Sequence, residues 1–237
     1  MSVKNLLLNI RNDLQSLANN EIKAAAQRYF KEPIELYGIK AAEVNSTYRK
    51  YAKEVKSLTK NEVFELCETL WISGLFEECI LACHFTDSIH KKFIPEDFQI
   101  FERWIQNYIN NWATCDTFCN HTIGNFIMMY PEFISKLKQW TSSENRWVKR
   151  ASAVSLIVPG KKGLFLEDIL EIATSLLTDP DDMVQKGYGW MLKVACKNHE
   201  TIIFNFVYDH RQEMPRTALR YAIEKMPNDL KEMAMRK

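Results

Sequence analysis

One acid and three bases recur along the second half of the chain at a nearly constant interval. Asp116, Arg150, Lys186 and Arg220 lie 34, 36 and 34 residues apart. An interval of that size is the length of a helical-repeat unit. A helix pair so short cannot bury its apolar face alone, so repeats stack and set equivalent residues side by side on one curved surface. The second helices align as Arg146-Trp147-Val148-Lys149-Arg150-Ala151, Asp182-Met183-Val184-Gln185-Lys186-Gly187 and Arg216-Thr217-Ala218-Leu219-Arg220-Tyr221. Each sets a small or aliphatic residue near a base at fixed register. The expected architecture is an all-α superhelix with Asp116 and the three bases in a row on its concave side.

Composition narrows the class. At 237 residues, 46% hydrophobic and 26% charged, the chain is ordinary globular protein, read as one domain over 1–237. With seven glycines and seven prolines, turns are few and helices should dominate. The net charge of +1 announces no polyanion partner; such a partner requires the bases to be gathered on one surface. Cys79/Cys83 and Cys115/Cys119 are four apart in helical patterns. That geometry rarely suits a disulfide, so the six cysteines are expected to be reduced. The N-terminus, with Lys4, Arg11 and Asp13 among apolar residues, does not read as a signal peptide. No apolar run approaches the roughly 20 residues that span a membrane. The expectation is a cytoplasmic monomer with no membrane partner.

Helical periodicity runs from Met1 to about Ala18, and again over 21–30, ending at Lys31-Glu32-Pro33. Tyr37-Gly38-Ile39 is a loop in which Gly38 is free to take positive φ. Helices follow over about 41–55, 60–71, 75–89 and 95–108. Thr59 and Glu62 form a capping box before the second of these. Asn110-Asn111 caps the helix that bears Trp112 and Asp116. Pro131 opens the next, to about Trp140, and Ser143 or Asn145 caps a helix over 146–157 that stops before Pro159-Gly160. Lys161-Lys162-Gly163 is a basic loop. Further helices are expected at about 164–177, 182–196, 199–209 and 216–226, with Asp179-Pro180-Asp181-Asp182 placing acid at a helix N-terminus. Residues 227–237 are polar and are expected to fray. No strand-like alternation occurs.

Trp112 and Asp116 fall on one helix face, about 5–6 Å apart at Cβ. The acid lies among Phe118, Ile123, Phe126 and Ile127, where an aspartate is rarely buried unless paired. Arg150, one repeat on, is its obvious partner, and pairing would keep it anionic. The plain alternative is a core tryptophan beside a structural ion pair. Trp190 has Lys186 one turn before it and Gly187 and Gly189 at its side. Each glycine costs about 1 kcal/mol against alanine in a helix, so something must approach closely. A packed helix is the commoner cause and a ligand the other. Lys149, Lys161, Lys162, Lys193, Arg211 and Arg216 add to a basic face, which is either merely solvated or lined with phosphates. Cys115-x-x-x-Cys119-x-His121 is a poor metal spacing within one helix. Neither a Gly-rich phosphate loop nor a nucleophile elbow is present.

Asn111-Trp112-x-x-x-Asp116, Trp147-x-x-Arg150-Ala151 and Val184-Gln185-Lys186-Gly187-Tyr188-Gly189-Trp190 together resemble the AlkD-type DNA alkylation repair glycosylases, which are HEAT-like repeat proteins. The resemblance covers essentially the whole chain and extends to Tyr29 and the Tyr37-Gly38-Ile39 loop. It implies that Trp112, Asp116 and Trp190 cradle the lesion nucleotide. It also implies that Arg150 bonds Asp116 and contacts the phosphate backbone, with Tyr29 near that backbone. On the basic face, Lys149, Lys161, Lys162, Lys186 and Arg220 are the expected DNA contacts. The implied substrates are N3- and N7-alkylated purines in double-stranded DNA, such as 3-methyladenine and 7-methylguanine, released without extruding the base. Asn111 and Ala113 depart from residues seen in some members.

The chemistry fits these residue types. An N3- or N7-alkylated purine is cationic and already a good leaving group. As the glycosidic bond breaks, the sugar becomes oxocarbenium-like. A fixed carboxylate stabilises that cation and can orient water. An indole face attracts a cation by about 0.5–2 kcal/mol. The expectation is a monofunctional glycosylase that needs no metal or cofactor and leaves an abasic site. The rival expectations are a non-catalytic DNA-binding relative and a protein-binding helical scaffold.

Overall fold

The computed structural model describes residues 2–236. Met1, in the expected opening helix, and Lys237, in the expected frayed tail, lie outside the described residues. The regular structure of the described residues is helical throughout, with no strand and one isolated bridge between Glu35 and Leu75. They group into two compact units that meet in sequence between Phe118 and Cys119.

The first unit contains α1 (Val3–Leu17), α2 (Asn20–Gln27), α3 (Ala41–Ser57), α4 (Lys60–Ile72), α5 (Phe76–Ser88), α6 (Phe98–Tyr108) and α7 (Trp112–Phe118). Local chemistry sets several of the boundaries. The Thr59 hydroxyl accepts from the Glu62 amide at 3.3 Å and the Glu62 carboxylate accepts from the Thr59 amide at 2.8 Å, closing the capping box at α4. Asn111 caps α7 by accepting from the Thr114 amide at 3.0 Å. The core is aromatic. Phe64, Trp71, Phe101 and Trp104 are buried, and Phe118 at the end of α7 meets Trp71 edge-on at 5.7 Å and Trp104 at 6.0 Å.

The second unit opens with a π-helical segment, Cys119–Ile123, and continues as α8 (Gly124–Met129), α9 (Ile134–Trp140), α10 (Arg146–Val154), α11 (Ile157–Lys161), α12 (Leu166–Ser175), α13 (Asp182–Asp209), α14 (Arg216–Ile223) and α15 (Asn228–Met235). Asn145 caps α10 and Asp181 caps α13. The long α13 is the axis of this unit and packs on α10, α11, α12, α14 and α15.

Two expectations do not hold. Within the tail expected to fray, Asn228–Met235 is helical, buries Ala234 and packs on α13 and α14. Pro159 and Gly160 lie inside α11, because a proline in the first turn lacks only an amide that has no helical partner there. Lys161 therefore ends a helix instead of lying in a free loop, with Lys162 as its C-cap. The helices expected at about 182–196 and 199–209 are both present and meet at a kink at His199 (φ −136°, ψ 45°), the two together forming α13. At that kink Asn198 donates to the Lys161 carbonyl at 3.0 Å, and a ring nitrogen of His199 lies 3.2 Å from the Gly163 carbonyl, satisfying orphan acceptors at the end of α11.

All six cysteines are free and buried. Burial pushes the Cys67 and Cys79 thiols up to about 12 and Cys83 well above its usual range. Thiolate is the reactive form. The native protein at pH 8 should therefore show at most slow reaction with a disulfide reagent, at Cys196, and six reactive thiols in denaturant. Several fast thiols in the native state would contradict this burial. Gly189 admits α14 against α13: a Cβ there would lie 2.7 Å from Tyr221 Cβ and 2.8 Å from the Ala218 carbonyl. Gly189→Ala should destabilise the fold by about 1–3 kcal/mol in chemical denaturation, although alanine is the better helix former. An unchanged midpoint would show that the helices part without cost.

Candidate functional site

In the first unit α7 has two faces. Thr114, Cys115 and Phe118 are buried, while Trp112, Ala113, Asp116 and Thr117 are half-buried. The inner face rests on α5, where the Cys83 thiol points to the Thr114 carbonyl at 3.9 Å. Trp112 and Asp116 thus share the outward side, one turn apart. The indole of Trp112 is held from two directions. Its Nε1 donates to the Tyr29 carbonyl at 3.2 Å, and its ring stacks on Phe30 with centroids 5.7 Å apart and planes at 23°. Phe30 in turn meets Phe76 edge-on at 5.4 Å. The Tyr29 side chain is 77% exposed beside this assembly. Phe30 and Phe76 are not singled out by the sequence. The Lys31-Glu32-Pro33 break places Phe30 at the end of a helical segment, and nothing there reveals a partner more than eighty residues away.

In the second unit the three bases share a register but not an environment. Arg150, Lys186 and Arg220 are each the fifth residue of α10, α13 and α14, as Asp116 is of α7. Arg150 is only 5% exposed, and its guanidinium donates to the Met183 carbonyl and lies against Gly187, where a Cβ would be 3.2 Å from Arg150 Cγ. Lys186 pairs with Asp182 at 3.1 Å. Arg220 is exposed and makes no ion pair with any described residue. Other bases of this face are paired: Lys149 with Asp179, Arg146 with Asp181 at 2.8 Å, and Lys193 with Glu224 at 2.9 Å. A uniformly free basic row is therefore not what the second unit offers.

Trp190 is half-buried and lines a cleft of about 680 Å³ within the second unit. Lys161, Lys193, Lys197 and Lys225 also border it, and Ile157, Val158 and Val194 supply apolar surface. Asn120, on the π-helical segment, contributes a buried carboxamide oxygen with no hydrogen-bond donor among the described residues. π-helical turns of this kind recur at functional sites. Lys197 and Lys225 are not named by the sequence reading. Lys197 is one turn beyond Lys193 and two beyond Trp190, a helical spacing that could have identified it. Lys162 makes no ion pair with any described residue and lies 3.4 Å from Met128 Sδ. The glycines beside Trp190 are explained by packing against Arg150 and α14, not by a ligand. No group of three His, Cys, Asp or Glu side chains among the described residues could hold a metal ion, and no described helix is long and apolar enough to cross a membrane.

Comparison with known proteins agrees with this architecture. A family described as DNA alkylation repair enzyme matches residues 10–226. The solved structure titled "Predicted DNA alkylation repair enzyme from Enterococcus faecalis" superposes with a TM-score of 0.79 at 16% identity, over 89% of this chain and 97% of its own. The structure of smu.31 from Streptococcus mutans UA159 superposes with a TM-score of 0.60 at 16% identity, over 77% of this chain and 94% of its own. A comparison with the curated proteins finds no match. At such low identity the two structures establish the shared helical solenoid fold, and the match over 10–226 establishes the family. The chain belongs to the DNA alkylation repair enzyme family, with a role in the repair of alkylated DNA.

Proposed function

We propose that the protein is a monofunctional DNA glycosylase that releases N3- and N7-alkylated purines from double-stranded DNA and leaves an abasic site. The observation that carries this reading is the outward face of α7, where a carboxylate lies one turn from an indole held by a carbonyl and a stacked ring. The leaving purine is cationic and needs no protonation. The C1′–N bond breaks, its electron pair returns to the purine, and positive charge passes to the sugar. The Asp116 carboxylate stabilises that charge and orients the water that adds to C1′, the water's proton going to the carboxylate or solvent. The Trp112 face supports the same cation. The base is released without being drawn into a pocket, as the family resemblance implies.

In the second unit Trp190 is assigned to the nucleotide and Lys161, Lys162, Lys186 and Arg220 to phosphates. Lys161, Lys162 and Arg220 make no ion pair with any described residue, so a phosphate would not have to displace a carboxylate. Lys149 contacts DNA only by giving up Asp179. Arg150 has little surface to offer a phosphate, and its guanidinium donates to the Met183 carbonyl.

Asp116→Asn should lower single-turnover release of 7-methylguanine by about 10²–10³-fold, the scale of removing one transition-state electrostatic interaction. Duplex affinity should stay within a few-fold of the parent. Release at the parental rate removes Asp116 from the mechanism. Separately, Lys161→Ala with Lys162→Ala should reduce the slope of log K against log [salt] by about 0.9 for each phosphate that is no longer neutralised. An unchanged slope shows that neither lysine meets the backbone.

A further inference from the structure

Glu77 has a carboxylate with no place in the chemistry above, yet it is only 1% exposed. It lies in the first turn of α5 and accepts three backbone hydrogen bonds. Oε2 takes the Tyr37 amide at 2.9 Å, and Oε1 takes the Gly38 and Ile39 amides at 2.9 Å each. Its buried neighbour Glu78 accepts from the Arg11 guanidinium at 2.9 Å and from the Tyr37 hydroxyl at 2.8 Å. The Phe76 amide donates to the Glu35 carbonyl at 2.8 Å. The start of α5 therefore grips residues 35–39 along their length.

That segment in turn seats α2. The Asn19 amide donates to the Tyr37 carbonyl at 3.2 Å. Gly38 has φ +85°, and a Cβ there would fall 2.2 Å from the Asn19 carbonyl oxygen and 2.7 Å from the Lys23 amide nitrogen. The turn thus touches the backbone of α2 directly. No residue of α2 is fully buried; besides this turn, Gln27 ties its end to the following segment, donating to the Glu32 carbonyl at 3.0 Å and accepting from the Ile34 amide at 3.1 Å. Just past its far end stand Tyr29, whose carbonyl receives the Trp112 indole, and Phe30, on which that indole stacks.

We infer that Glu77 is a positioning residue for Trp112. It clamps the 37–39 turn against α2, and the end of α2 presents the carbonyl and the ring that orient the indole. This inference rests on the reading of Trp112 as a site residue. Glutamine at position 77 has nearly the same shape, but one arm then carries an NH2 that must face a backbone N–H. Either Tyr37 or the Gly38–Ile39 pair loses its acceptor, a buried amide is left unpaired, and the turn shifts.

The test uses the full-length protein labelled with 5-fluorotryptophan, with the Trp112 resonance assigned through Trp112→Phe. In Glu77→Gln the Trp112 fluorine signal should shift or broaden while the remaining indoles hold. Single-turnover release of 7-methylguanine should fall about ten-fold, the order of one weakened cation–π interaction, with the duplex Kd within about two-fold. Asp13→Asn is the control. It breaks a carboxylate network to Lys50 and Tyr51, between α1 and α3, that makes no hydrogen bond with α2 or α7 among the described residues. That variant should lose thermal stability but keep the Trp112 signal and the rate. Should Glu77→Gln fail to fold, Glu77→Asp keeps the charge, withdraws it by one methylene and should move the same signal less far. A Trp112 signal indifferent to position 77, or moved equally by Asp13→Asn, overturns the inference. If the unsubstituted protein releases no base, the functional reading fails instead, and a Trp112 signal that follows Glu77 still upholds the clamp.

Discussion

Phe118 lies among Trp71, Phe101 and Trp104, and that packing fixes the short helix α7. Burying a phenylalanine side chain contributes about 1.5–3 kcal/mol. A helix of seven residues has little stability of its own and takes its orientation from such packing. Once Thr114, Cys115 and Phe118 are committed to the interior, helical geometry alone dictates that Trp112 and Asp116 point the other way. The carboxylate gains its place from the core beneath it. The indole needs more, because a tryptophan at the first helical position could turn freely, and the end of α2 supplies the carbonyl and ring that hold it.

Much of this is legible in the chain. Helix starts can be read where the signal is local: Thr59 with Glu62, Asn111, Asn145 and Asp181 all cap as their side chains suggest. The common register of Asp116, Arg150, Lys186 and Arg220 is also visible, because a repeat preserves position. Environment is not preserved with it. Arg150 is buried because Gly187 leaves room for its stem, and Lys186 is drawn to Asp182 on its own helix. The C-terminal helix hides in the sequence because its polar residues are the outward face and Ala234 is its one buried residue. Glu77 is inconspicuous for a related reason. An acid in the first turn of a helix usually faces water, and only the fold reveals three backbone amides converging on it.

Charge distribution explains how a chain of net charge +1 can belong to a family that handles DNA. Acids in the second unit neutralise the bases that hold helices together: Lys149 with Asp179, Arg146 with Asp181, Lys193 with Glu224. Such partly exposed pairs add little stability each, but they fix side chains and remove them from competition for a polyanion. Lys161, Lys162, Lys197 and Arg220 make no ion pair with any described residue, and a phosphate could meet them at least cost. Net charge averages over both sets, which is why it says so little about partners.

The central claim is that the α7 face performs chemistry on a glycosidic bond. Incubation of the protein with methylated genomic DNA, followed by chromatographic identification of free purines, addresses that directly. The expected result is 3-methyladenine and 7-methylguanine in solution, and abasic sites in DNA whose strands remain unbroken. Retardation of the same DNA at low salt with no purine released would contradict the claim and leave a DNA-binding protein without catalytic function.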